Sequence, residues 1–154
     1  MNKSSLETGT IMDSKSNRFP HYRFEHQQYV AWGDMDSFGH LNNVAYVKYF
    51  ENARVEFFRE LGGWTFEVAP EQGPVIVNLS LNYRKQVRYP NQLTITIGVS
   101  RLKKRSFSFV CTMFDENGEC VHSATADMLW VKFLQAAAVD VPKDIVSRFE
   151  IYRV

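Results

Sequence analysis

Two hydrophobic rhythms run along this chain. Tyr46, Phe50, Ala53, Phe57 and Leu61 recur at steps of four, three, four and four, which stacks them on one face of a helix. Val44, Val47 and Phe58 widen that stripe, and Lys48, Asn52, Arg59 and Glu60 fall mostly elsewhere. Asn42 or Asn43 suits the N-cap, and Gly62 suits the residue just past the last turn. Downstream the period drops to two. Val75, Val77, Leu79, Leu81 and Tyr83 alternate with polar or opposite-facing residues, as do Leu93, Ile95, Ile97 and Val99, then Phe107, Phe109, Cys111 and Met113. Tyr89-Pro90-Asn91 and Asp115-Glu116-Asn117-Gly118 read as turns between strands. Cys120 to Phe133 reads as a long last strand, and Pro142 to Tyr152 as a short terminal helix with Pro142 in its first turn. Before the long helix, Tyr22 to Ala31 reads as a first strand anchored by Tyr22, Phe24 and Tyr29.

The order is strand, long helix, then four strands with short links. Short links make antiparallel neighbours. The expected fold class is α+β: one antiparallel sheet wrapped around one long central helix. A small sheet leaves its edges open, so a dimer that extends the sheet is expected.

The chain has 154 residues, 45% hydrophobic, which fits one domain with a real core. Residues 1–19 are polar and read as a loose tail ahead of a single domain at 20–154; they lack the apolar stretch of a secretory signal. No run of about 18 apolar residues marks a membrane helix. The net charge of +1 argues against nucleic acid or an acidic membrane as a partner. Cys111 and Cys120 make no disulfide framework and read as free thiols in a reducing, cytoplasmic setting. His21, His26, His40 and His122 lack metal-ligand spacing, and no nucleophile elbow, phosphate loop or dinucleotide fingerprint is present, so neither metal nor cofactor is expected.

The chemistry concentrates in WGDMDSFGHLNN, a polar loop that runs straight into the long helix. A helix start offers free N–H groups and the positive end of the dipole, which can polarise a carbonyl. Asp36 just before it can attack a carbonyl or direct a water, or it can simply cap a turn. Asp34 reads as structural, and His40 as orienting the loop or touching a ligand. Glu51, in the helix, is an alternative acid or the partner of Arg54. Lys103, Lys104, Arg105 and Ser106 form a basic turn that suits phosphates or plain solvated surface. Arg84, Lys85 and Arg88 are weaker phosphate candidates.

With those residues in view, the chain resembles the hotdog-fold acyl-CoA thioesterases of the 4-hydroxybenzoyl-CoA thioesterase-like type. The motif is carried by Asp34, Asp36, Gly39, His40, Asn42 and Asn43, then Glu51, Ala53 and Arg54, and the resemblance spans roughly residues 22–140. It implies hydrolysis of an acyl-CoA thioester, with Asp36 as nucleophile or general base. The backbone N–H of Asn43 would point at the thioester carbonyl, and coenzyme A would enter as part of the substrate. It implies coenzyme A phosphates near Lys103, Lys104, Arg105 and Ser106, contacts from His40 and Glu51, and a homodimer or a dimer of dimers with sites at the subunit interface. Rival readings are hydrolysis of an acyl carrier protein thioester, hydration of an enoyl thioester, and a non-catalytic acyl-CoA sensor. Hydration fits poorly, because Gly33 to His40 lacks the Pro of that motif and places its His one residue late.

Overall fold

The computed structural model describes residue 19, residues 21–62 and residues 69–154. Strand β1 (Glu25–Tyr29) leads through a 3-10 turn at Trp32–Asp34 into helix α1 (Asn43–Leu61). Strands β2 (Gln72–Tyr83), β3 (Gln92–Leu102), β4 (Ser106–Phe114) and β5 (Cys120–Lys132) follow, then a two-residue strand β6 (Ala137–Ala138) and helix α2 (Lys143–Ile151). The strands form one antiparallel sheet in the order β1-β3-β4-β5-β2, with β6 beside the end of β5. The hotdog arrangement expected from sequence is what the chain adopts.

Helix α1 begins and ends where its flanking residues dictate. The Asn42 side chain accepts from the Val44 N–H at 3.0 Å, and Gly62 takes the left-handed conformation at φ 69° that a residue with a Cβ rarely adopts. Its buried face carries Tyr46, Phe50, Ala53, Phe57, Phe58 and Leu61, as the spacing predicts, and Tyr49 as well. Val44 is a correction: it is 73% exposed, because the sheet closes on the helix only from Ala45 onward. Phe57 sits at the centre, with ring centroids 5.0–5.2 Å from Phe24, Phe109 and Tyr152. From α2, Phe149 reaches the same cluster through Phe107 and Phe109.

Two strand readings change in register. In β2 the pairing with β5 shifts between Ile76 and Asn78, which leaves Val77 bulged and 56% exposed. Ile76 therefore faces Met128, and Leu79, Leu81 and Tyr83 face Ala126, Ala124 and His122 on the inner side, out of phase with Val75 and Val77. In β1, Tyr29 is 72% exposed and is no anchor; Phe24 is the buried one. The poor alternation of β1 has a cause. Its residue Gln28 accepts a hydrogen bond from Asn52 of α1 at 3.1 Å, so a polar pair closes that edge.

The expected loose tail falls on residues 1–18, outside the described residues, as does the connection at 63–68. Phe19 stacks on Phe114 at 4.0 Å. Among the described residues no helix is long and apolar enough to cross a membrane. Cys111 and Cys120 are free thiols.

Phe57→Ala removes a ring with no exposed surface from the middle of this cluster. The expected loss is about 3–5 kcal/mol of unfolding free energy, read as a drop in the urea midpoint with an unchanged slope.

Candidate active site

The loop between β1 and α1 is held closed by its own backbone. The Asp36 N–H donates to the His40 carbonyl at 2.7 Å, and the Gly39 N–H donates to the Asp36 carbonyl at 3.1 Å. Gly39 sits at φ 73°, which lets the chain reverse there. The Asp36 side chain completes the turn. Its Oδ1 accepts from the Phe38 N–H at 2.9 Å and the His40 N–H at 3.1 Å. Thus the turn-capping reading of Asp36 holds for one oxygen, and the structure gives Oδ2 no partner among the described residues.

Three further ties fix the loop to the body. Leu41 is buried, and its N–H donates to the Val87 carbonyl at 2.7 Å. The Asn42 N–H donates to the Asp34 carbonyl at 2.9 Å. The Asp34 carboxylate pairs with Lys48 and accepts from the Tyr49 hydroxyl at 2.7 Å, and that hydroxyl accepts from the Ala31 N–H at 3.0 Å. The Lys48 and Tyr49 hydrogen bonds hold the Asp34 carboxyl below the usual carboxylate range. Burial, reinforced by the Asp34 charge, pushes the Tyr49 phenol up to about 12, so it stays a donor. Asp34 is structural.

Behind this loop lies a cavity of about 310 Å³ that brings together Asp36, His40, Asn43, Tyr46, Tyr83 and Arg84. Asn43 is the first residue of α1, and its N–H has no partner among the described residues. The His40 Nε2 is buried without a hydrogen bond among the described residues. Arg84 donates to the Ser123 hydroxyl at 3.2 Å, and Lys85, also on the cavity wall, pairs with Glu119. On the outer side of the loop a second hollow of about 590 Å³ is lined by Trp32, Asp36, Gly39 and Tyr89.

Other sequence candidates lie elsewhere. Glu51 pairs with Arg54 on α1 and does not line the Asp36 cavity. The basic turn sits at the opposite end of the sheet. Lys104 and Arg105 pair with Asp140 at 3.5 and 3.2 Å, and Lys103 and Ser106 line a separate hollow of about 210 Å³. The 11 residues of β3 separate the two ends, a span of about 30 Å at some 3.3 Å per residue. Among the described residues no three His, Cys, Asp or Glu side chains gather as metal ligands. A further cavity, about 810 Å³, is an apolar groove lined by Val55, Phe58, Pro74, Phe133 and Leu134, also away from Asp36.

The sequence motif does not include Tyr83 and His122, which the sheet brings to the helix start. His122 is fully buried on β5, stacked on Tyr46 with ring centroids 4.7 Å apart and 17° between planes. Tyr83 meets both rings edge-on, at 5.3 Å from Tyr46 and 5.0 Å from His122. Neither ring nitrogen of His122 has a partner among the described residues, and burial pulls its pKa down to about 4. Burial therefore keeps His122 neutral near pH 7 beneath Tyr46 and Tyr83, two rings that line the cavity.

A polar loop bearing a carboxylate, set against an open helix start on a curved sheet, defines a hotdog protein of the thioesterase type. The chain belongs to the Thioesterase-like superfamily, whose family model matches residues 30–149. It is 30% identical to the PA2801 protein of Pseudomonas aeruginosa, a candidate thioesterase, with a TM-score of 0.74 over 80% of this chain and 95% of that one. It is 25% identical over 118 residues to the long-chain acyl-CoA thioesterase FadM of Escherichia coli (strain K12), covering 75% of this chain and 89% of that protein. The gentisyl-coenzyme A thioesterase BH1999 shares the fold, at 23% identity and a TM-score of 0.75 over 82% of this chain and 99% of that one.

His122 gives the fold a pH dependence. Below the ordinary His value of 6.5 the unfolded chain takes a proton that the folded chain refuses until about pH 4. Stability contributed by His122 is thus complete above 6.5 and is lost as pH falls through that window, by roughly 3 kcal/mol in all. His122→Phe keeps the stacked ring, and urea titrations at pH 7 and pH 4.5 should show a smaller loss of stability for the variant than for the wild type.

Proposed function

We propose that this protein hydrolyses an acyl-CoA thioester to the free acid and coenzyme A. The observation that carries the reading is that Asp36 and Asn43, whose N–H has no partner among the described residues, line one cavity. A thioester carbonyl seated there meets a carboxylate on one side and a helix-start donor on the other. Asp36 acts through Oδ2, either by attacking the carbonyl carbon or by taking a proton from a water that attacks it. The Asn43 N–H receives the charge that develops on the carbonyl oxygen, and such a donor is typically worth about 3 kcal/mol. In the general-base route the C–S bond then breaks and the departing thiolate takes up that proton. In the nucleophilic route it breaks to leave an acyl–Asp36 anhydride, which a water hydrolyses to the free acid, and the thiolate takes up the proton that this water gives up. The orphaned Nε2 of His40 provides a polar contact for the bound thioester.

Within one chain the basic turn lies too far from Asp36 to meet the phosphates of the same substrate. Strand β2 is an open edge of 12 residues. A twofold pairing of two such edges places the start of one β2 beside the end of the other, and so brings the partner's far end toward this chain's Asp36. We therefore propose a homodimer, itself able to pair into a tetramer, in which Lys103, Lys104, Arg105 and Ser106 serve the site across the interface. The apolar groove at Phe58 and Phe133 travels with them, so acyl and nucleotide parts meet surfaces from both copies. Glu51, near the groove on α1, then stands close to substrate through its Arg54 partner rather than as the acid.

Asp36→Asn is the decisive variant because Asn still offers Oδ1 to the Phe38 and His40 N–H groups while removing the charge. Thiol release from acetyl- to palmitoyl-CoA and from benzoyl-CoA should fall by about 10²–10⁴-fold. Full activity in the variant rules the mechanism out. Tight acyl-CoA binding without release points to a sensor, and release only from carrier-protein thioesters points to that substrate instead.

Lys103→Ala should raise KM for acyl-CoA several-fold and leave kcat nearly unchanged. The same assay with acyl-pantetheine, which lacks the nucleotide phosphates, should show no such rise.

A further inference from the structure

We infer that Tyr83 is a positioning residue, whose hydroxyl holds the first turn of α1 so that the Asn43 N–H points into the cavity. The inference rests on the reading of that N–H as the donor to the thioester carbonyl. The observation behind it is a hydrogen bond: the Tyr83 hydroxyl donates to the Asn43 carbonyl at 3.1 Å. That carbonyl begins the peptide unit directly after the one that carries the Asn43 N–H.

The first turn of a helix is its least constrained part, because its N–H groups have no partners within the helix. Here the Asn42 side chain caps the Val44 N–H and the Asn42 N–H is tied to the Asp34 carbonyl, but side-chain packing adds little. Asn43 is exposed, Val44 is 73% exposed, and the first side chains packed into the core belong to Ala45 and Tyr46. Helix α1 packs chiefly on β1, β3 and α2. Tyr83 reaches it from the other wing of the sheet, as the last residue of β2.

The tyrosine can act as a strut because its ring is gripped at two points. It lies edge-on to Tyr46, three residues into α1, and edge-on to His122, its antiparallel partner on β5. Tyr46 and His122 stack on each other in turn. Aromatic contacts of this kind favour fixed ring orientations, so the Tyr46 and His122 rings set the direction of the Tyr83 ring although the residue is 46% exposed. The strut couples strands β5 and β2 to the helix start, and the same tyrosine lines the cavity with Asp36.

Tyr83→Phe tests the hydroxyl and keeps the ring. Small displacements of a catalytic donor cost large factors in rate. The expected result is a kcat for acyl-CoA hydrolysis lowered about tenfold, a KM within about twofold of wild type, and an unchanged melting temperature. A second readout follows the donor itself. In the Asp36→Asn background, the infrared carbonyl stretch of bound acyl-CoA should move toward its value in water when Tyr83→Phe is added. A merely structural tyrosine would lower stability and leave the stretch where it is. Wild-type kcat in Tyr83→Phe, or a rise in KM alone, overturns the positioning role and leaves the hydrolase reading standing. Absence of thiol release by the wild-type protein from every thioester overturns both.

Discussion

Everything in this structure depends on burying the aromatic face of α1. An isolated helix of this length is marginal in water, so the sheet must supply its stability. Phe57, Phe58, Phe109, Phe107 and Phe149 form a run of tilted and edge-on ring contacts that spans α1, β4 and α2. These rings decide how the helix lies across the strands. That orientation in turn decides where the helix begins, and the position of its first N–H is the basis of the proposed chemistry.

The loop before α1 shows how one residue can be structural and chemical together. Asp36 gives one oxygen to two backbone N–H groups, and this closes the turn around Gly39. The second oxygen is left for the cavity. The neighbouring carboxylate, Asp34, is spent on Lys48 and Tyr49. Two acids two residues apart therefore have different environments, because Asp34 ends the 3-10 turn beside Lys48 and Tyr49 while Asp36 caps the following turn around Gly39. Beneath Tyr46 and Tyr83, burial keeps His122 neutral near pH 7.

Much of the fold was legible from period alone. The helix stripe from Tyr46 to Leu61 and the alternation of Leu93 to Val99 both place side chains where burial is found. The failures share one kind of cause. Val77 breaks the alternation of β2 through a bulge, which is set by pairing with β5 and not by local sequence. Val44 looks like core from its spacing, yet the sheet does not reach it. Tyr29 looks like an anchor, yet β1 ends at the surface there. Of the site, Asp36, His40 and Asn43 were legible because they are contiguous and flank a helix start. Tyr83, Arg84 and Lys85 joined them through the sheet.

The sequence by itself determined the local chemistry of this protein: where α1 starts and stops, that an Asn caps it, and that a carboxylate precedes an open helix start. Those features depend on neighbours within a few residues, so a linear pattern contains them. The tertiary structure alone decided that β2 ends against the start of α1, that His122 is buried beneath Tyr46, and that the basic turn lies a full strand length from Asp36. These follow from strand order and register. A register shift of one residue turns every side chain to the other face while leaving composition and local propensity the same.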